Sequence, residues 1–194
     1  MFWMTASTTK MPKTLRQLSN KLAAIRSDER GVAAIEFAFF ATLLSLGLLN
    51  TADVGIYIYK RMELENAAQT AAELVLQYCN TANNTLPATT NCPSLTSYIT
   101  NAIQATSLGN QVTLASGSPA EGYYCVNSAN ALQYVSSVSN PPPADCTAAG
   151  TPSLQPADYI QITAQYAYAP LFPGITVASA FTTPITKTSL MRLD

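Results

Sequence analysis

The most chemically specific feature of this chain is one carboxylate inside an apolar segment. Glu36 lies five residues after Gly31, and no further charged residue follows it until Asp53. An unpaired charge in hydrocarbon costs roughly 2.5–3.5 kcal/mol on insertion scales. A plain membrane anchor has no use for such an acid, whereas a helix that packs against copies of itself can pair it with a cation. The alternative is that the carboxylate reaches the inner bilayer surface near Arg26 or Arg30.

Short motifs surround this glutamate over about residues 30–78. They are Arg30-Gly31, Glu36-Phe37-Ala38, Asp53-Val54-Gly55, Tyr59-Lys60-Arg61 and the alanine pairs Ala67-Ala68 and Ala71-Ala72, with a weaker likeness in Ile160–Tyr168 and Pro170-Leu171. Together these motifs resemble the TadE family of minor pilins (pseudopilins) of the tight-adherence pilus system. The resemblance implies a pilin-like structural subunit for the assembly or the tip of a pilus involved in surface adhesion.

The resemblance also implies roles for particular residues. A prepilin peptidase would cut between Gly31 and Val32, and Glu36 with Phe37 would take part in assembly with other pilin subunits and Tad assembly proteins. The freed amino group of Val32 would pair with Glu36 of a neighbouring subunit. Two departures from the family pattern are visible. The segment before Gly31 is long for a leader, with later methionines as alternative starts, and Val32 stands where many pilins carry Phe or Met.

The distribution of charge predicts the orientation in a membrane. Basic residues are concentrated before the apolar segment and are then absent between Arg61 and Lys187. The positive-inside rule therefore places the N-terminus in the cytoplasm. We expect a cytoplasmic leader over residues 1–31 and a single transmembrane helix over residues 32–59 in the bacterial inner membrane. The C-terminal head would be periplasmic or extracellular, or part of the pilus.

The length of the apolar segment agrees with a spanning helix. Residues 32–59 would form a helix about 42 Å long, which exceeds the roughly 30 Å of a hydrocarbon core. A cleaved secretory signal is the alternative. It is disfavoured because an acid lies within the apolar run and no clear A-x-A site follows it.

The helical pattern continues through residues 60–78. Residues 32–78 contain no proline, and good helix formers dominate the second half of this segment. Apolar residues recur there at helical spacing at Leu64, Ala67, Ala68, Ala71, Ala72, Val75 and Tyr78. We predict one continuous helix whose alanine-rich stripe packs on a globular head as ordinary core, rather than forming a groove for a partner.

Residues 79–194 predict a small antiparallel β-rich head. A short amphipathic helix is expected from Leu95 to near Gly109, and buried positions alternate along Tyr159–Tyr168. The candidate strands are Gln111–Ala115, Gly122–Asn127, Leu132–Val138, Tyr159–Tyr168, Ile175–Phe181 and Ile185–Met191. The fold class is α+β and pilin-like: a long N-terminal membrane-spanning helix continues into an amphipathic helix packed on this head.

The cysteines all lie beyond the predicted membrane helix. Their even number, four, predicts disulfides in an oxidising compartment. Three pairings are possible for Cys79, Cys92, Cys125 and Cys146. The pairs Cys79–Cys92 and Cys125–Cys146 are favoured because short loops close at the lowest entropic cost. A zinc site is disfavoured since no two cysteines have the close spacing that zinc sites use.

Composition narrows the function classes. The chain has no histidine, which removes the commonest general base and metal ligand. A net charge of −1 gives no general attraction for nucleic acid. We expect no catalytic, cofactor or metal site, and we place Glu121, Asp145 and Asp158 in solvated loops or at strand ends. Two functions remain: a minor pilin, or a bitopic envelope protein with a disulfide-bonded binding head and no filament role.

Overall fold

The computed structural model describes residues 29–83 and 85–194. Most of the predicted leader, residues 1–31, therefore lies outside the described residues. The described chain divides into two compact units, one that ends at Leu48 and one that comprises Leu49–Asp194. The α+β class predicted from the sequence is confirmed, since a long apolar helix precedes an antiparallel sheet.

Helix α1 runs from Glu29 to Tyr78 and has 50 residues. It continues through Gly47 and Gly55 without interruption, as the absence of proline in this segment allows. In the first unit, the hydroxyl groups of Thr42 and Ser45 donate hydrogen bonds to the carbonyl oxygens four residues earlier, at 2.8 and 2.7 Å. These bonds satisfy the only side-chain hydroxyls between Val32 and Leu48, so they present no unpaired donor to an apolar environment.

The alanine stripe of α1 belongs to the core of the second unit. Ala67, Ala68, Ala71 and Ala72 are at most 1% exposed, and Leu64 and Val75 are fully buried with them. Their small side chains permit close approach of the helix to the residues that cover it. The prediction that this stripe is core, and not an open groove, is confirmed.

The sheet has five antiparallel strands arranged around the longest one. They are β1 (Val112–Leu114), β2 (Ala120–Val126), β3 (Leu132–Ser137), β4 (Ala157–Tyr166) and β5 (Ile185–Arg192). One side of β4 pairs with β5, whereas its other side pairs with β2 near its start and with β1 near its end. β3 pairs with β2. The alternation predicted for β4 is confirmed: Ile160, Ile162 and Ala164 are fully buried.

Two further helices and two disulfides complete the second unit. Helix α2 (Ala88–Asn91) is a short helix that the sequence pattern does not predict, and α3 (Leu95–Gln104) is the predicted amphipathic helix. The disulfides are Cys79–Cys92 and Cys125–Cys146, the pairs favoured by loop length. The first ties the end of α1 to the segment that carries α2, and the second ties β2 to a short turn before β4.

Two predictions from the sequence are wrong. Residues Ile175–Phe181 form no strand. They lie in the connection from β4 to β5, with a 3₁₀ turn at Val177–Ala180. Their amides bond to nearby loop carbonyls such as that of Phe172, and the Val177 amide bonds to Asn50 of α1, instead of to a neighbouring strand. Asp158 lies at a strand end as predicted, being the second residue of β4, but it is not solvated: it is only 4% exposed, since the C-terminal residues and β2 cover it.

Candidate functional site

The described part of the first unit is an apolar helix that no other described residue covers. Large apolar side chains between Val32 and Leu48 are exposed, Phe37 and Ile35 most of all. Glu36 lies in this surface and is exposed as well. One helix among the described residues is long and apolar enough to cross a membrane. A surface of this kind is unstable in water, so the segment indicates a single-pass membrane protein.

The predicted cleavage site lies in the first turn of α1. Gly31 is the third residue of the helix and Val32 the fourth. The space around Gly31 is open, with no atom within 4 Å of a side-chain position built there. The structure shows this geometry, and cleavage there stays a prediction.

A second group of polar contacts is centred on Asp53 of α1. The side chain is fully buried. Its Oδ1 accepts hydrogen bonds from the Tyr168 hydroxyl at 2.8 Å and from the Leu171 amide at 3.0 Å. Its Oδ2 accepts a short hydrogen bond from the Thr176 hydroxyl. The buried carboxylate is therefore surrounded by donors, which is the condition under which a buried charge is tolerated.

The partners of Asp53 all lie in the connection from β4 to β5, residues 167–184, which we call the clamp loop. The clamp loop makes a further contact one helical turn earlier, where the Val177 amide donates to Oδ1 of Asn50 at 2.9 Å. Tyr57 packs edge-on against Tyr168, with ring centroids 5.1 Å apart, and also contacts Phe181. Burial, together with the hydrogen bond to Asp53, raises the pKa of Tyr168 to about 12, so its hydroxyl remains a donor at neutral pH.

In the sequence, Asp53 stands out only as part of a family motif. Its partners Tyr168, Leu171 and Thr176 were not predicted, nor was the contact of Asn50 with Val177. The signal that could have found the site is an acid within an apolar helix, which needs donors from elsewhere in the chain. No local sequence pattern identifies the residues that supply these donors, because they lie more than 110 positions from Asp53 in the chain.

Acids on neighbouring strands form a third polar group, in which Asp158 is buried and Glu121 is half-buried. Glu121 of β2 accepts hydrogen bonds from the amides of Ala88 and Thr89 at 2.6 and 2.7 Å, at the start of α2. Asp158 of β4 lies beside it, and one of its carboxyl oxygens has no hydrogen-bond partner. Burial, and then the nearby charges of Glu121 and Asp194, raise the pKa of Asp158 to about 7. No set of three acids, cysteines or histidines among the described residues is arranged to hold a metal ion.

Comparisons with known proteins agree with the motifs of α1. A model of the family described as TadE-like protein matches residues 31–73. Searches of curated proteins and of solved structures found no significant match. The matched segment begins at the glycine of the predicted processing site, includes Glu36 and Asp53, and ends within the alanine stripe. Residues 31–73 of this chain are therefore a TadE-like segment, the type found in a pilin family associated with the Tad pilus.

Proposed function

We propose that the protein is a minor pilin (pseudopilin), a structural subunit that is incorporated into a Tad-type pilus or into the complex that starts it. A prepilin peptidase cuts the chain after Gly31, and the mature subunit begins at Val32. Its head is exported, and its helix packs against those of other pilin subunits and Tad assembly proteins. The assembled pilus serves surface adhesion, and the chain itself catalyses no reaction.

One observation carries this proposal: the TadE-like match begins at Gly31 and contains a helix whose apolar surface is uncovered and carries one acid. In a lipid anchor, Glu36 is an unexplained cost. In an assembly it has a partner, because cleavage creates a cationic amine at Val32 near the same helix face. Low dielectric strengthens such a pair between subunits and makes either charge alone unfavourable.

The first experiment tests processing. Mass spectrometry of the protein extracted from membranes should find a mature N-terminus at Val32. Gly31→Val should abolish the cut, and Gly47→Val is the matched control, since both glycines lie in α1 with open space around them. A parent protein that still contains the residues up to Gly31 would contradict the proposal. It would favour a bitopic envelope protein with a binding head.

The second experiment tests assembly. Glu36→Gln keeps the side-chain shape and removes the charge, so membrane insertion and cleavage should persist while co-purification with the assembly machinery falls at least about tenfold, the loss that corresponds to 1.4 kcal/mol. Glu73→Gln is the control, because Glu73 is an exposed glutamate of the same helix outside the apolar segment. Equal recovery of Glu36→Gln and the parent would refute a role for Glu36 in assembly.

A further inference from the structure

The clamp loop exposes an apolar surface that the fold does not use. Leu171, Ile175 and Val177 are 58%, 59% and 58% exposed. No charged residue occurs among residues 167–184. Exposed apolar residues scattered singly are ordinary on protein surfaces. Here three large ones lie within seven residues of one loop, whereas the Tyr168 and Thr176 hydroxyl groups of the same loop bond to the buried Asp53.

The clamp loop is fixed at a defined level of α1. The Leu171 amide bonds to Asp53, and the Val177 amide bonds to Asn50. The Thr176 side chain, between two of the exposed residues, is buried against Asp53. The three apolar side chains are therefore tied to the helix turn that contains residues 50–53, and this turn follows directly on the apolar run that ends with Leu48 and Leu49.

This level coincides with the outer boundary of a bilayer crossed by α1. A helix needs about 20 residues to cross roughly 30 Å of hydrocarbon. Counted from Val32, these residues end near Thr51. In a bilayer that the helix enters at Val32, the turn at residues 50–53 would lie where acyl chains meet headgroups on the outer side, and the clamp loop is bonded to this same turn.

We propose that Leu171, Ile175 and Val177 insert into the outer surface of the bilayer that the chain's own helix crosses. A lipid surface accepts apolar side chains without further recognition, whereas a protein partner is usually held by a polar rim as well, and this loop offers no charge for one. The helix turn that holds the loop, residues 50–53, also follows the membrane-spanning run directly in sequence. Asp53 thereby holds the loop against the helix while the loop holds the head on the membrane.

This inference rests on the membrane placement in the proposed function, and it does not depend on cleavage or assembly. The test uses the full chain in vesicles of phosphatidylethanolamine and phosphatidylglycerol, with an environment-sensitive thiol fluorophore. In the oxidised protein the two disulfides contain all four cysteines, so no native thiol reacts with the label. Labels are placed separately at Ile175→Cys and Val177→Cys, with Leu44→Cys on the membrane helix and Tyr134→Cys on β3 as the two references. All four positions are exposed, so the labels leave the core intact.

Nitroxide lipids then report depth. The labels at positions 175 and 177 should lose about half of their emission to quenchers in the headgroup and upper acyl region, as insertion by about 5–10 Å requires. The label at position 134 should keep its emission. Quenching at position 44 but not at 175 or 177 would overturn the inference and leave the membrane helix in place. A lack of quenching at position 44 would overturn both this inference and the placement of the helix in the membrane. A spectral shift at 175 that appears only at high protein-to-lipid ratio would show contact with a second copy and would also overturn it.

Discussion

The Tyr168 hydroxyl donates a 2.8 Å hydrogen bond to the carboxylate of Asp53, 115 positions earlier in the chain. Both side chains are buried. This bond joins the long helix to the connection between the two longest strands, and it is one of three that the same carboxylate accepts from the clamp loop. Contacts with the head of this protein thus explain why the TadE-like segment contains an acid at position 53. The family match ends at residue 73 and does not include the head.

Asp53→Asn should destabilise the second unit. An amide has one acceptor oxygen, so either Thr176 or the pair Tyr168 and Leu171 must face an NH2 group instead. We expect a loss of about 2–4 kcal/mol in the free energy of unfolding, because hydrogen bonds to charged groups contribute about 1.5–3 kcal/mol each. Urea unfolding in detergent measures it. Tyr168→Phe removes one bond and should cost about half as much. A change within about 0.5 kcal/mol for Asp53→Asn would show that the buried contacts are not needed.

Ala71→Leu should destabilise the same unit by overpacking. Ala71 is fully buried in the core, and added methyl groups in a well-packed core typically cost about 1–3 kcal/mol. Gln69→Leu is the matched control, since Gln69 is exposed on the same helix. The midpoint of urea unfolding should fall for Ala71→Leu alone. If both variants unfolded like the parent, the alanine stripe would have to be loosely covered, contrary to the structure.

The two disulfides should leave no free thiol in the exported protein. Alkylation without reduction should label none of the four cysteines, and reduction should release all of them. Replacing the Cys79–Cys92 pair with serines should cost about 2–4 kcal/mol of stability, as is typical for loops of this size. The Cys125–Cys146 pair should cost a similar amount, because its loop of 21 residues is only slightly longer than that of 13. Stoichiometric labelling of any one cysteine before reduction would refute this pairing.

The sequence was sufficient wherever structure follows from local pattern. The proline-free segment up to Tyr78 predicted the long helix, the alternation along Tyr159–Tyr168 predicted β4, and the cysteine spacing favoured the observed pairs. It failed where distant groups decide. Residues 175–181 have a strand-like composition, yet the Val177 amide bonds to Asn50, 127 positions away. No periodicity in the loop itself encodes that contact.

The candidate site shows the same division. Gly31 and Glu36 are singled out by their spacing alone, and their roles in cleavage and assembly stay predictions. Asp53 could be identified only as a motif residue, since its role depends on Tyr168 and Thr176. Asp158 was misplaced because an isolated acid in a sequence usually indicates solvent, and its burial results from the packing of β2 and the chain end around it.

We expect the stability of the second unit to depend on pH through Asp158. The pKa of Asp158 is raised to about 7 by burial and by the charges of Glu121 and Asp194, and Tyr123 is the other titratable group that faces it. A raised pKa means that the folded state holds the proton more tightly than the unfolded state, whose value is 3.8. The contribution of Asp158 to the free energy of unfolding is therefore fully present below about pH 4 and is lost as the pH rises through about 7. Because the chain has no histidine, few other groups titrate in this window.

Asp158→Asn should remove that dependence. An amide cannot ionise, so the variant should gain about 2–4 kcal/mol over the parent at pH 8 and be close to it at pH 4, in line with about 1.36 kcal/mol per unit of pKa. Asp145→Asn is the control. Hydrogen bonds from Thr147 lower the pKa of Asp145, so this substitution should change the pH dependence of stability only below the usual pKa range of an aspartate. Urea unfolding between pH 4 and pH 8 separates the two. A parent protein whose stability rises from pH 5 to pH 8 would show that Asp158 is ionised and paired in the folded state.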